Sequence, residues 1–183
     1  MKKIFTLLII ICSVCIPFSV NAQRVLDSNQ SPWRLDWKQI ETDHYLIMFP
    51  EAISDDARRI ADYMENIYPH ITKTIGEKKG KTTIILNTTL SETNGYASIA
   101  PTKSEWFNDP GQDAFAGSLG WYELLGIHEY RHILQFESLK KKTTYVLSVI
   151  FGEELSGFLS MYVTPGWFYE GDAVYQETLL SQQ

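Results

Sequence analysis

The stretch His128-Glu129-Tyr130-Arg131-His132 decides how the rest of this 183-residue chain is interpreted. It matches the pattern H-E-x-x-H. On an α-helix, residues four apart lie one above the other on the same face. His128 and His132 can therefore offer two imidazole nitrogens to one metal ion. Glu129 lies one position further round the helix, close enough to reach a water molecule bound to that ion.

The residues around this motif predict a largely apolar helix from Trp121 to Ser138. Its apolar positions include Leu124, Leu125, Ile127, Ile133, Leu134 and Phe136. Arg131 is the exception, because a charged side chain in such a helix must point to solvent or find an acidic partner. H-E-x-x-H on a helix is typical of metalloproteases, in which the two His bind the metal and the Glu is the general base. The alternative is a surface helix with two unrelated His.

A second predicted helix, entered at Pro165, carries a candidate for the third ligand. A catalytic site with two His needs one more protein ligand and one open position for water. Glu170 can supply this ligand from the second helix. Glu153 and Glu154 lie closer to the motif in sequence and compete with it.

The sequence H-E-Y-R-H followed by W-F-Y-E-G-D-A-x-Y around Glu170 resembles the gluzincin (peptidase MA-like) zinc metallopeptidases. It is similar in particular to secreted bacterial proteins in which such a domain precedes a TolB-like β-propeller. The resemblance implies that His128, His132 and Glu170 bind Zn²⁺ and that Glu129 is the catalytic base. It also favours Glu170 over the two earlier acids as the third ligand.

The resemblance further implies an α+β, zincin-like fold, with a small mixed β-sheet packed on the H-E-x-x-H helix and further helices. In this family the edge of the sheet lies above the active-site helix. An open edge strand can hold an extended peptide by backbone hydrogen bonds. We hypothesise this role for Gly95, Tyr96, Ala97 and Ser98. The alternative is that these residues form an ordinary hairpin.

Several residues near Glu170 are candidates for supporting roles. Glu177 falls seven residues later on the same helix face, and either Glu177 or Asp172 can accept the second N–H of a ligand His and fix its tautomer. Glu123 is a further option, and a solvated charge is the alternative explanation for each. Gluzincins generally add a Tyr or His donor for the oxyanion. The candidates here are Tyr169 and Tyr175.

Periodicity elsewhere in the chain predicts further strands and helices. Strands are predicted at 37–40, 44–49, 82–86, 95–99 and 104–107. Apolar residues at three- and four-residue spacing predict a core-facing helix that begins at an N-cap, Ser54, ends at Gly76 and is kinked or divided at Pro69. His44 has no evident partner and is interpreted as structural. A further apolar helix is predicted from Tyr145 to Tyr162.

The N-terminus has the form of a signal peptide. Lys2 and Lys3 precede an apolar run, and the sequence V-N-A suits cleavage after Ala22. The alternative is an uncleaved anchor. Both cysteines, Cys12 and Cys15, fall inside this segment, so the mature chain has none and a Cys-ligated zinc site is excluded. We therefore predict a secreted or periplasmic protein of the cell envelope.

The predicted organisation is a signal peptide at 1–22, a lead-in segment at 23–42 and a metallopeptidase-like domain at 43–183. The net charge is −6, and no basic stripe indicates a nucleic-acid partner. No run after the signal peptide has the length and composition of a membrane span. Relatives of this type normally continue further, so we expect a truncated chain that lacks a C-terminal β-propeller.

These features predict a zinc-dependent peptidase that acts on peptides or proteins. In this prediction, Glu129 takes a proton from the attacking water and passes it to the leaving amine. The alternative is an inactive peptidase-fold module for binding or assembly at the cell envelope, because a fold does not determine a function. The presence of Glu129 favours the enzyme, whereas the short chain favours the module.

Overall fold

The structure is a computed structural model that describes residues 34–89, 94–99, 101–107, 119–139 and 164–181. These ranges form β1 (Trp37–Glu41), β2 (Tyr45–Pro50), α1 (Ser54–Thr72), β3 (Thr82–Asn87), β4 (Gly95–Ile99), β5 (Thr102–Phe107), α2 (Trp121–Ser138) and α3 (Gly166–Leu180). The α+β class is thereby confirmed. The predicted signal peptide, the predicted helix at 145–162 and the rival ligands Glu153 and Glu154 lie outside the described residues.

The five strands form one mixed sheet in the order β1-β2-β3-β5-β4. β1 pairs antiparallel with β2, whereas β2 with β3 and β3 with β5 are parallel. Helix α1 supplies the crossover that a parallel β2–β3 pair requires. β4 pairs antiparallel with β5 and forms one edge of the sheet. Because β1 begins at Trp37, the sheet includes part of the segment predicted as a lead-in.

One face of the sheet is buried under helices. Tyr45 and Ile47 in β2, Ile84 and Leu86 in β3, and Trp106 in β5 are each at most 1% exposed. Alternation along each strand and the pairing register place these side chains on the same face. This face meets α1 and α2, and α3 packs in turn against α2. The side of α2 turned away from the sheet is thus available to α3.

Gly126 brings α2 close to both α1 and the sheet. A Cβ at this position would lie 2.6 Å from the sulfur of Met64 and 3.4 Å from the Trp106 ring. The missing side chain allows the helices to approach each other closely. Since Gly126 faces the core, His128 is turned about 200° around the helix from it. This packing directs the motif histidines towards α3.

Helix α1 buries the apolar stripe that its sequence predicts. The stripe consists of Ala57, Ile60, Ala61, Met64, Ile67 and Ile71. Of the kink or division predicted at Pro69, the structure contradicts the division, because the helix continues through Pro69. Burial of Ile71 beyond the proline shows why, because tertiary packing outweighs the local cost of proline in the last turn.

The ends of α1 differ slightly from the prediction. Ser54 is not the N-cap; its hydroxyl donates to Glu51 O (2.6 Å), because a 3-10 turn at Glu51–Ile53 leads directly into the helix. The last helical residue is Thr72. Gly76 then donates its N–H to Thr72 O (2.7 Å) with a φ of 98°, a left-handed conformation that favours glycine.

His44 has a partner, contrary to the expectation from sequence. Its Nδ1 lies 2.7 Å from Glu65 Oε2, and its backbone N–H donates to Glu65 Oε1 (2.9 Å). Its ring stacks on Tyr68 with centroids 3.5 Å apart. Because Glu65 and Tyr68 both belong to α1, these contacts join the start of β2 to that helix.

Helix α3 leaves most of its large apolar side chains exposed. Ala173 and Gln176 are its buried residues. Its exposed large apolar side chains are Trp167, Phe168, Val174, Tyr175 and Leu179. None of the helices in the described part of the chain is long and apolar enough to cross a membrane.

Candidate metal centre

Helices α2 and α3 bring His128, His132 and Glu170 together. The two His lie one turn apart on α2, and their Nε2 atoms are 3.1 Å from each other. Oε2 of Glu170 lies 3.3 Å from Nε2 of His128, and its Oε1 lies 3.5 Å from Nε2 of His132. This is the one group of metal-binding side chains found within the described ranges, and it could hold a metal ion.

The spacing of these three donor groups suits tetrahedral coordination. Ligand atoms about 2.0–2.1 Å from a zinc ion in a tetrahedral site are roughly 3.3 Å from one another. The two Nε2 atoms are 3.1 Å apart, and each has a different oxygen of the Glu170 carboxylate at 3.3 or 3.5 Å, so the carboxylate can approach an ion held between the imidazoles. The Glu170 side chain is 64% exposed, so the centre is open to solvent on the α3 side.

Each ring nitrogen that points away from the centre has an acceptor. Nδ1 of His128 bonds to the carboxylate of Glu177, and Nδ1–H of His132 donates to Gln135 Oε1 (2.8 Å). Such acceptors keep the proton on Nδ1 and leave the Nε2 lone pairs directed at the centre. Two bare nitrogens this close repel each other, so the donor set suits a cation between them.

Of the predicted supporting acids, Glu177 is the one that contacts a ligand His. Asp172 instead bonds to Gln135 and Arg131, and is separated from His132 by the Gln135 amide. The Glu123 carboxylate bends back over the first turn of α2, where its Oε2 would be 2.2 Å from a Cβ at position 120. The sequence positions of these three acids are therefore not enough to identify which one accepts the bond.

Burial and nearby carboxylates shift the pKa values of both imidazoles. Burial acts to lower the pKa of His128, but the hydrogen bond that its Nδ1–H donates to Glu177 and the charges of Glu129, Glu177 and Glu170 outweigh it, so this pKa is raised. For His132, burial lowers the pKa, and His128 lowers it further despite the bond to Gln135. His132 is thus the ring held more firmly in its neutral, metal-binding form.

Glu129 is a buried carboxyl group beside the three donors. It is 5% exposed. Burial raises its pKa to about 7; His128 opposes the shift, and Glu170 and Glu177 add to it. A carboxyl group with a pKa near neutrality is suited to both accepting and donating a proton.

These groups and the edge strand β4 line a common cavity of ≈ 420 Å³. It is lined by Asn94, Gly95, Tyr96, Ala97, His128, Glu129, His132, Phe136, Thr164, Gly166, Tyr169 and Glu170. Tyr169 therefore lies at the cavity. Tyr175 does not, because it follows Glu170 by five residues, about 140° around α3, and is 58% exposed on the outer side. Ser98 is also absent from the lining.

The edge strand β4 lies directly over Glu129. A Cβ at Gly95 would be 3.0 Å from Leu125 Cδ2 and 3.2 Å from Glu129 Cγ, so glycine allows this close approach. Phe107 N–H donates to Asn94 O (3.0 Å), and antiparallel alternation then turns the backbone groups of Gly95 outward. The Gly95 N–H is bonded to Asn94 Oδ1 (2.9 Å). No described strand pairs with this outer edge.

Arg131 has an acidic partner inside the protein. It is 4% exposed, and its Nε and Nη2 donate to Asp172 Oδ2 (2.6 Å) and Oδ1 (2.9 Å) in a bidentate pair. Partial burial acts to raise the pKa of Asp172, but the bonds from Arg131 and Gln135 outweigh it and lower the pKa. An Arg in a buried helix predicts such a partner, although not which acid it is.

No family model, no curated protein and no solved structure matches this chain. The functional assignment therefore depends on the sequence motif and on the geometry of this centre.

Two residues of the site were not identified from the sequence: Gln135, which bonds to His132, and Phe136, which lines the cavity. Gln135 follows His132 by three residues on the same helix, and this spacing is a signal that could have identified it.

Proposed function

We propose that this chain is a zinc-dependent peptidase with a zincin-like fold. His128, His132 and Glu170 hold Zn²⁺, and Glu129 is the general base. The observation that carries the proposal is the convergence of two imidazole nitrogens and one carboxylate at 3.1–3.5 Å, beside a buried carboxyl group on the same helix. Three protein ligands and one open position are typical of catalytic rather than structural zinc sites.

The residues of the chain divide the chemistry between them. Zinc bound by the three ligands supplies a Lewis acid that polarises a carbonyl and lowers the pKa of a water molecule. Glu129 takes a proton from the attacking water and returns it to the amine that leaves. Glu177 and Gln135 keep the two imidazoles in the tautomer that binds metal. Tyr169, which lines the cavity, is the candidate donor to the oxyanion.

The substrate in this proposal is a peptide in extended conformation. The outward-facing backbone groups of β4 can pair with it, as an added strand, beside Glu129. The Gly95 N–H donates to Asn94 Oδ1, so a peptide carbonyl that pairs with Gly95 must replace this side-chain acceptor. We propose in addition that residues 1–22 direct the chain to the periplasm or the exterior.

Metal analysis and a peptidase assay test the proposed function together. Purified protein is expected to contain about one zinc per chain and to hydrolyse casein or a broad peptide library. Removing the metal with a chelator should stop hydrolysis, and restoring zinc should recover it. Zinc without turnover on a broad library would instead indicate the binding module. Absence of stoichiometric zinc would reject the metal site itself.

A side chain at Gly95 is expected to lower the rate of hydrolysis without removing the metal. A Cβ added at Gly95 would lie 3.2 Å from Glu129 Cγ, and Gly95→Val adds two methyl groups to that Cβ, so the carboxylate must move. A displacement of about 1 Å can cost roughly 10²-fold in rate. Steady-state kinetics and zinc content measure the two effects. Thr83→Val, on the face of β3 turned away from the helices and outside the site, is the control and should retain activity.

A further inference from the structure

Gln135 makes hydrogen bonds in three directions from a buried position. It is 4% exposed on α2. Its Oε1 accepts the Nδ1–H of His132 (2.8 Å), and its Nε2 donates to Tyr169 O (3.0 Å) and Asp172 Oδ2 (2.8 Å). Both N–H groups and the oxygen of the amide are thus used, which holds the side chain in a single orientation.

Two of these contacts lie on either side of Glu170. Tyr169 precedes it and Asp172 follows it by two residues on α3. Because Gln135 binds both, it holds the helical turn that carries Glu170 against α2. The Gln135 side chain therefore orients the His132 imidazole directly. It also fixes the position of the backbone from which the Glu170 side chain extends.

Arg131 anchors the same Asp172 carboxylate through both of its oxygens. Besides the bidentate pair, its Nη1 donates to Ile71 O (3.1 Å) and to Thr74 Oγ1 (2.8 Å) at the end of α1. The fork geometry of the guanidinium fixes the carboxylate in one plane. The contacts from His132 through Gln135 and Asp172 to Arg131 therefore connect the centre to all three described helices.

We propose that Gln135, anchored by Asp172 and Arg131, is a positioning residue that sets the metal affinity of this centre. The inference rests on the proposed function and deepens it, because it concerns residues that do not touch the ion. Groups that hold metal ligands in place typically contribute about 10–100-fold to metal affinity. Bidentate anchoring of Asp172 explains why an Arg is placed within the buried H-E-x-x-H segment.

Metal-binding measurements on matched variants test this inference. In competition with a chromophoric chelator, Gln135→Met and Asp172→Asn are each expected to bind zinc about 10–100-fold more weakly than wild type. Their far-UV circular dichroism should be unchanged. Gln176→Met is the control, because Gln176 is also buried, at 3% exposed, and stands outside the network; its affinity should match wild type. The visible d–d absorption of the Co²⁺-loaded protein should change only in the first two variants.

A double variant distinguishes a shared positioning role of Gln135 and Asp172 from two unrelated losses of zinc affinity. If Gln135 and Asp172 act along one path, the Gln135→Met/Asp172→Asn protein should lose little more affinity than the weaker-binding single variant. Independent, additive losses or wild-type affinity in both single variants would overturn the inference while leaving the zinc site intact. A wild-type protein that binds no zinc would overturn the proposed function as well.

Discussion

Glu129→Gln is expected to abolish measurable hydrolysis while the zinc content stays at the wild-type level. Gln has nearly the same shape as Glu but cannot accept a proton, so the variant removes the general base alone. Proton transfer by a positioned side chain typically contributes about 10²–10⁴-fold to a rate. Because Glu129 is not among the three converging donors, its replacement leaves His128, His132 and Glu170 in place. The measurements are kcat on a peptide substrate and metal content of the same preparation.

His128→Ala provides the matching comparison, because it removes a ligand and keeps the base. This variant should lose both zinc and activity. Two variants one residue apart on α2 would thus separate into a metal-bound inactive protein and a metal-free inactive protein. Wild-type turnover in Glu129→Gln would show that another group acts as the base. Loss of zinc in that variant would show that Glu129 belongs to the ligand set.

Arg131→Met is expected to lower the free energy of unfolding by about 3 kcal/mol. Removing one partner of a buried ion pair costs about 3–5 kcal/mol, because the other charge is left without compensation. Asp172 is 24% exposed, so solvent screens part of the effect and the lower end applies. For a chain of this size the change corresponds to a fall in Tm of roughly 6–12 °C. Urea and thermal denaturation of the same preparations measure both quantities.

Arg58→Met is the matched control, since it breaks an ion pair at the surface. Arg58 bonds Asp55 at 3.0 Å, but the two side chains are 70% and 98% exposed. Exposed pairs contribute about 0–1 kcal/mol, so this variant should unfold close to wild type. Adding Asp172→Asn to Arg131→Met should recover part of the loss, because no unpaired carboxylate remains. If both single variants lost the same free energy of unfolding, burial would not be the reason that the Arg131–Asp172 pair stabilises the protein.

Elements that carry a local pattern could be predicted from the sequence. The helix predicted from Trp121 to Ser138 has those bounds in the structure, and all five strands lie within a few residues of their predicted positions. Alternation in strands and the three- and four-residue spacing of apolar residues are properties of the backbone itself. Local signals failed where packing opposed them, as at Pro69, which stays inside α1 because the buried stripe continues past it.

For contacts between residues distant in sequence, the sequence could indicate the kind of partner but not which residue it is. Arg131 indicates an acidic partner, yet several acids satisfy that requirement equally until α3 is seen against α2. His44 carries no motif, and only the packing of α1 against the sheet gives it Glu65 as a partner. Tyr175 satisfies the chemistry of an oxyanion donor but lies on the outer side of its helix.

The sequence by itself determined the pair of imidazoles and the adjacent carboxyl group, because residues at i, i+1 and i+4 are related by the geometry of one helix. Only the tertiary structure decided that Glu170 meets them, that Glu177 holds the outer nitrogen of His128, and that β4 covers Glu129. These relations join residues from different elements. Their distances depend on how side chains such as Met64 and Trp106 fill the core around Gly126.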